Sequence, residues 1–92
     1  MTGYRISKAA QADLIKIAQY GDENYGIERS NQFRDQLKKQ FEILAQNPRL
    51  FRERWELSPP VRICPFKPYV ILYKITQAEI IIVRVRHERE DW

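Results

Sequence analysis

The sequence predicts an α+β fold of order β-α-α-β-β-β, in which a helical hairpin packs on one face of a small, mainly antiparallel sheet. Three observations carry this. Tyr69 to Ile75 and Ile80 to His87 are apolar, β-branched-rich segments separated only by Thr76 to Glu79, the pattern of two long strands joined by a turn. Upstream, Lys8 to about Asn24 and Ile27 to about Gln46 carry apolar residues at helical spacing. Neither helical stretch is apolar all round, so each has one face to bury, and the sheet is the available partner.

At 92 residues the chain supports one domain, 1–92, with a single small core. A 43% hydrophobic share beside 30% charged residues is that of a folded chain and not of a disordered one. The N-terminus, MTGYRISKAAQADLIKI, has no apolar signal core, and no run approaches membrane-spanning length. The expected location is therefore the cytoplasm, with no membrane partner. The single Cys64 cannot close an internal disulfide, and no Cys/His cluster has metal spacing, so neither metal nor cofactor is expected. Beside Pro65 in an apolar strand, Cys64 reads as a buried thiol in preference to a reactive one. A net charge of +4 and an isoelectric point near 9.4 favour an acidic partner, either nucleic acid or an acidic protein segment. Charge alone does not choose between them, and its plainest role is solubility.

In chain order, Tyr4-Arg5-Ile6 alternates and is short enough for an edge strand. Ser7 offers a hydroxyl to cap the first helix, whose stripe is Ala10, Leu14, Ile17 and Ala18. Gly21 lies inside that helix, where it costs about 1 kcal/mol relative to alanine and is expected to bend or end it. Gly26 is the left-handed stop that turns the chain into the second helix. That helix buries Phe33, Leu37, Phe41, Leu44 and Ala45 and ends at Asn47-Pro48. In the next segment Arg49, Arg52 and Arg54 interleave with Phe51 and Trp55. Such interleaving suits a grip on nucleic acid or an acidic peptide, but the preferred reading is a solvated loop with Phe51 and Trp55 tucked inward. Trp55-Glu56-Leu57 offers a brief strand before the stiff break at Ser58-Pro59-Pro60. Val61 to Cys64 alternates, and Pro65 and Pro68 interrupt its ladder.

Strict alternation divides the last strand in two. Ile81, Val83, Val85 and His87 form the face expected beneath the helices, and Ile80, Ile82, Arg84 and Arg86 form the other. The second set ends in two arginines side by side, which Arg62 on a neighbouring strand is able to join. Arginines there need an acidic partner or water. An intramolecular carboxylate and a bound acidic chain or phosphate both satisfy that need, and the residues leave the choice open.

The order of elements and several short stretches together resemble the ParE branch of the ParE/RelE toxin superfamily, across almost the whole chain. The resemblance rests on Tyr4-Arg5-Ile6-Ser7, Ala10-Gln11-Ala12-Asp13-Leu14, Tyr25-Gly26 and Leu44-Ala45-Gln46-Asn47-Pro48. It continues through Tyr69-Val70-Ile71-Leu72-Tyr73 and the stretch from Ile82 to Asp91. It implies the RelE/ParE-like fold and the toxin of a type II toxin–antitoxin module. Such a toxin stabilises the cleaved-DNA complex of DNA gyrase, is silenced by an acidic antitoxin, and binds promoter DNA only through that antitoxin. Arg62, Arg84 and Arg86 are then the antitoxin-binding candidates. His87, Arg89, Asp91 and Trp92 are the target-binding candidates. The chain departs from the family at Leu50 to Trp55, where a glycine-containing segment is usual, and in stopping at Trp92.

The alternative is a RelE-like, ribosome-dependent mRNA endonuclease, with Arg62, Lys67, Arg84 and His87 as its catalytic set. RNA cleavage needs a proton acceptor, a proton donor and cations around the phosphorus. By alternation His87 points away from Arg84 and Arg86, and Glu88, Glu90 and Asp91 repel RNA. No catalytic residue is therefore expected, and binding to the target is preferred over enzymatic cleavage. A domain that merely contacts DNA is disfavoured, because neither helix has a basic recognition face.

Overall fold

A computed structural model describes residues 3–90. The chain runs through β1 (Tyr4–Ile6), α1 (Lys8–Tyr25), α2 (Ile27–Gln46), β2 (Glu53–Arg54), β3 (Val61–Phe66), β4 (Tyr69–Ile75) and β5 (Ile80–His87). The five strands form one sheet in the order β1-β5-β4-β3-β2, antiparallel except for the β1–β5 pair. The expected architecture holds, with one short strand added: residues 53–54 pair with Val61 and Arg62, one step before the segment expected at 55–57. No helix among the described residues is long and apolar enough to cross a membrane.

Ser7 caps α1 as its hydroxyl predicted, accepting the Ala10 N–H at 3.0 Å. Gly21 does not end the helix, which runs on to Tyr25. Its bare Cα is needed for helix contact: an added Cβ would lie 2.8 Å from the Ser30 Oγ and 3.2 Å from the Ser30 Cβ. Gly26, at φ +88°, supplies the left-handed residue between the two helices.

Leu37, Phe41 and Leu44 of α2 close over Cys64, Ile71, Tyr73, Ile80, Ile82 and Val85 on the helix-facing side of the sheet. The fully buried Tyr73 donates its hydroxyl to the Pro48 carbonyl at 2.9 Å, so the end of α2 is tied to the sheet without leaving a buried polar atom unpaired. Cys64 is buried, as expected, and burial pushes its thiol up. Val61, Val70 and Leu72 form a second cluster on the far face, covered by Leu57 and Ile63. Phe51 is tucked against the main core as expected, but Trp55 is 73% exposed.

The expected division of β5 is reversed for Ile80 to Val83. Opposite Leu72 and Tyr73 the ladder jumps from Arg84 to Ile82, which leaves Val83 as an extra, bulged residue. The bulge changes the phase of the pleat. Ile80, Ile82 and Val85 all enter the helix-side core, and Ile81 and Val83 do not.

β1 stops opposite Ile82, so β5 outruns its neighbour and its edge lies open. The start of α1 closes that edge. Ser7 donates its hydroxyl to the Val83 carbonyl at 2.8 Å. Asp13 accepts the Val85 N–H at 3.0 Å and both arms of the Arg84 guanidinium at 2.8 and 2.9 Å. Burial pushes the Asp13 carboxyl up, but the hydrogen bonds from Arg84 and Val85, with the charges of Arg84 and Arg86, outweigh it and hold the group below its ordinary value.

Glycine to alanine inside a helix normally gains about 1 kcal/mol. Gly21→Ala is expected instead to lose about 1 kcal/mol in urea unfolding, because Ser30 must move. A gain would mean the helices have room to spare. Asp13→Ala leaves a buried N–H and a guanidinium unpaired and is expected to cost about 3 kcal/mol near neutral pH. A loss under about 0.5 kcal/mol would reduce the contact to an ordinary surface pair. The sign of the pH effect is fixed by the lowered folded pKa. The stability from Asp13 is complete above the unfolded value of about 3.9 and is lost as pH falls through the folded one. Wild type should therefore lose more stability than Asp13→Asn as pH drops below about 4, measured by the same unfolding titration.

Candidate functional site

An open groove of about 800 Å³ lies between the helical hairpin and the C-terminal end of β5. Its position follows from the elements just described, because α1 is clamped to β5 at Asp13 and the hairpin continues beyond that clamp. Aromatic rings line it. Phe33 of α2 packs against Phe66 at 5.5 Å and Tyr69 at 5.8 Å, and Tyr69 meets the edge of His87 at 5.6 Å. Tyr20 and Tyr25, edge to face at 6.1 Å, are exposed on the hairpin side. Burial, with the neighbouring Tyr20 and Tyr25, pushes the Tyr69 hydroxyl up.

Four cations, Lys16, Arg29, Arg34 and Lys67, share this lining. Among the described residues none of them has a carboxylate within ion-pair distance. Arg84 and Arg86 also face the groove, but both are neutralised from within the chain. Arg84 is held by Asp13. Arg86 is held by Glu90, at 3.0 Å through Nε and 2.5 Å through a terminal nitrogen. The other Glu90 oxygen accepts the His87 N–H at 2.8 Å. These contacts, Arg86 first, lower the Glu90 carboxyl below its usual range.

The structure brings Lys67, Arg84, Arg86 and His87 to one groove, although simple alternation had separated His87 from the arginines. Arg62 does not join them. It lies opposite Tyr73, two strands from β5, and donates to the Phe51 carbonyl at 2.6 Å, which anchors the loop after α2. Arg89 sits in the terminal turn, where its N–H donates to the His87 Nδ1 at 3.2 Å. Asp91 and Trp92 lie outside the described residues. Among the described residues no three His, Cys, Asp or Glu side chains gather where a metal ion could be held.

Sequence reasoning passed over the two carboxylates and the three hairpin cations Lys16, Arg29 and Arg34, and it singled out Lys67 only as part of the nuclease set. For Asp13 a signal existed. It lies three residues after Ala10 and four before Ile17, within the apolar stripe of α1. An acid on a buried stripe requires a donor or cation on the element that it covers. Nothing local distinguishes Glu90 from Glu88 beside it.

The sequence profile of the family described as "ParE toxin of type II toxin-antitoxin system, parDE" matches residues 4–92. Toxin ParE1 of Mycobacterium tuberculosis is 32% identical over 89 residues, covering 96% of this chain and 91% of that protein. Toxin ParE1 of Caulobacter vibrioides is 28% identical over 88 residues, with the same coverage of 96% and 91%. A solved chain from a chromosomal ParDE toxin–antitoxin system of P. aeruginosa superposes with a TM-score of 0.80 over 95% of this chain and 96% of that one. At 22% identity that likeness speaks for the fold. With a family match along nearly its whole length and the two-helix, five-strand architecture to go with it, the chain belongs to the ParE toxin family of type II toxin–antitoxin systems.

Proposed function

We propose that this ParE-family toxin is silenced by an acidic antitoxin segment seated in the groove and, when free in the cytoplasm, poisons DNA gyrase by contact. The observation that carries the first half is the pairing of exposed aromatic rings with Lys16, Arg29, Arg34 and Lys67, cations that no carboxylate of the described chain neutralises. Such a surface complements an acidic segment with apolar anchors and speeds its capture. Membership of a family described by its type II toxin–antitoxin system supports the partner class. Promoter DNA is contacted through the antitoxin.

The second half rests on family membership and on the state of the would-be catalytic groups. Charge developing on a phosphorus needs cations free to meet it. Of the would-be catalytic set only Lys67 is unneutralised: Arg84 and Arg86 are each tied to a carboxylate, Arg62 is committed to a backbone carbonyl, and the Nδ1 of His87 accepts a backbone N–H. This arrangement favours a binding poison over a ribonuclease.

Purified protein added to gyrase, supercoiled DNA and ATP is expected to accumulate cleaved DNA. Intact supercoiling at a large excess of protein, together with mRNA cuts in a translating extract that vanish in His87→Ala, would select the nuclease instead. For the antitoxin, Arg29→Glu and Lys67→Glu should each weaken binding by about three- to tenfold, mainly through slower association at low salt. Unchanged association rates in both variants would move the antitoxin off the groove.

A further inference from the structure

The open edge of β5 is closed twice by the same device. Asp13 joins the Val85 N–H to the guanidinium of the preceding residue, Arg84. Glu90 joins the His87 N–H to the guanidinium of the preceding residue, Arg86. In both cases one carboxylate spans a strand-edge donor and the arginine just before it. The two carboxylates differ in how they are held. Asp13 belongs to a helix that packs on the sheet, and only 10% of its side chain is exposed. Glu90 belongs to a terminal turn, and 44% of its side chain is exposed. The Asp13 contact is part of the fold. The Glu90 contact is a local plug.

We infer that Arg86 and the His87 N–H form a carboxylate receptor on the groove wall, filled in cis by Glu90, and that an acidic side chain of a partner takes the place of Glu90. The ligand class follows from the donor set. A guanidinium and a backbone N–H pointing the same way bind the two oxygens of one carboxylate, as the fixed copy at Asp13 demonstrates. Arg86, His87 and Glu90 all line the groove, so a chain lying in it passes the receptor. The identity of that occupant as the antitoxin rests on the function proposed above; the receptor itself does not. The exchange has a cost that sets its size. An exposed pair of this kind holds its partner weakly, so Glu90 reduces apparent affinity for an outside carboxylate by about three- to tenfold.

Acetate, titrated against chloride at constant ionic strength into the full chain, tests the receptor without the partner. In Glu90→Ala the His87 amide resonance is expected to shift saturably, with half-saturation at about three- to tenfold less acetate than in wild type. Arg86→Gln in the same background should abolish the saturation. Amides of the helices serve as the control for an intact fold, and Glu90→Gln, which keeps the side-chain shape, is expected to respond like Glu90→Ala. A drift without saturation in both Glu90 variants, or curves equal to wild type, overturns the receptor. A second arm uses a synthetic acidic peptide with apolar anchors, the partner class proposed above. Tighter binding to Glu90→Ala and weaker binding to Arg86→Gln support the exchange. Equal binding to all three forms overturns the exchange. Absence of binding to any form overturns the antitoxin reading, and the acetate curves then decide the receptor by themselves.

Discussion

The position of the helical hairpin depends on one carboxylate. β1 ends opposite Ile82, and β5 continues through His87 with no strand on that side. An open edge of that kind exposes donors that must be satisfied or will pair with another chain. Asp13 satisfies the Val85 N–H and at the same time neutralises Arg84. Ser7, one residue before α1 begins, serves the Val83 carbonyl with the hydroxyl that also caps the helix. The first turns of α1 therefore stand in for the missing length of β1. Because α1 is fixed to β5 at that point, the hairpin beyond it stands over the end of the strand, and the groove is what lies between.

The same arrangement sets the electrostatics of the site. Two arginines that look in the sequence like the obvious anion binders are already paired within the chain. The field that a partner meets comes from Lys16, Arg29, Arg34 and Lys67 instead, on the hairpin and the β3–β4 turn. A charged surface of this type acts first on encounter rate and on the choice of partner, and the aromatic rings beneath it supply the apolar contact.

What the sequence made legible was local. The bounds of α2, β4 and β5 follow from helical and strand periodicities and from the Asn47-Pro48 and Thr76–Glu79 breaks, all of which are contained in short windows. The Ser7 cap was equally local. What stayed hidden depends on pairs of distant residues. The bulge at Val83 exists only because β4 and β5 meet in a particular register, and it moves Ile80 and Ile82 to the face opposite the one that alternation assigned. Gly21 looked like a flaw in a helix until Ser30 was placed against it. Trp55 looked like a core residue by its type, but Leu57, two residues on, takes the place on the far face of the sheet. At the site, the family resemblance pointed to Arg84, Arg86 and His87, which the structure places along the groove. It did not reveal that Asp13, seventy-one residues before Arg84, decides what that region can do.

Amide hydrogen exchange at Val85 and His87, read in one sample, addresses the closed edge directly. A permanent Asp13 contact and an exchangeable Glu90 contact require very different protection. Val85 is expected to exchange only with global unfolding, and His87 through a local opening that makes it faster by orders of magnitude. Equal protection at the two amides, or a Val85 that exchanges as fast as the terminal turn, would contradict the central role given to Asp13.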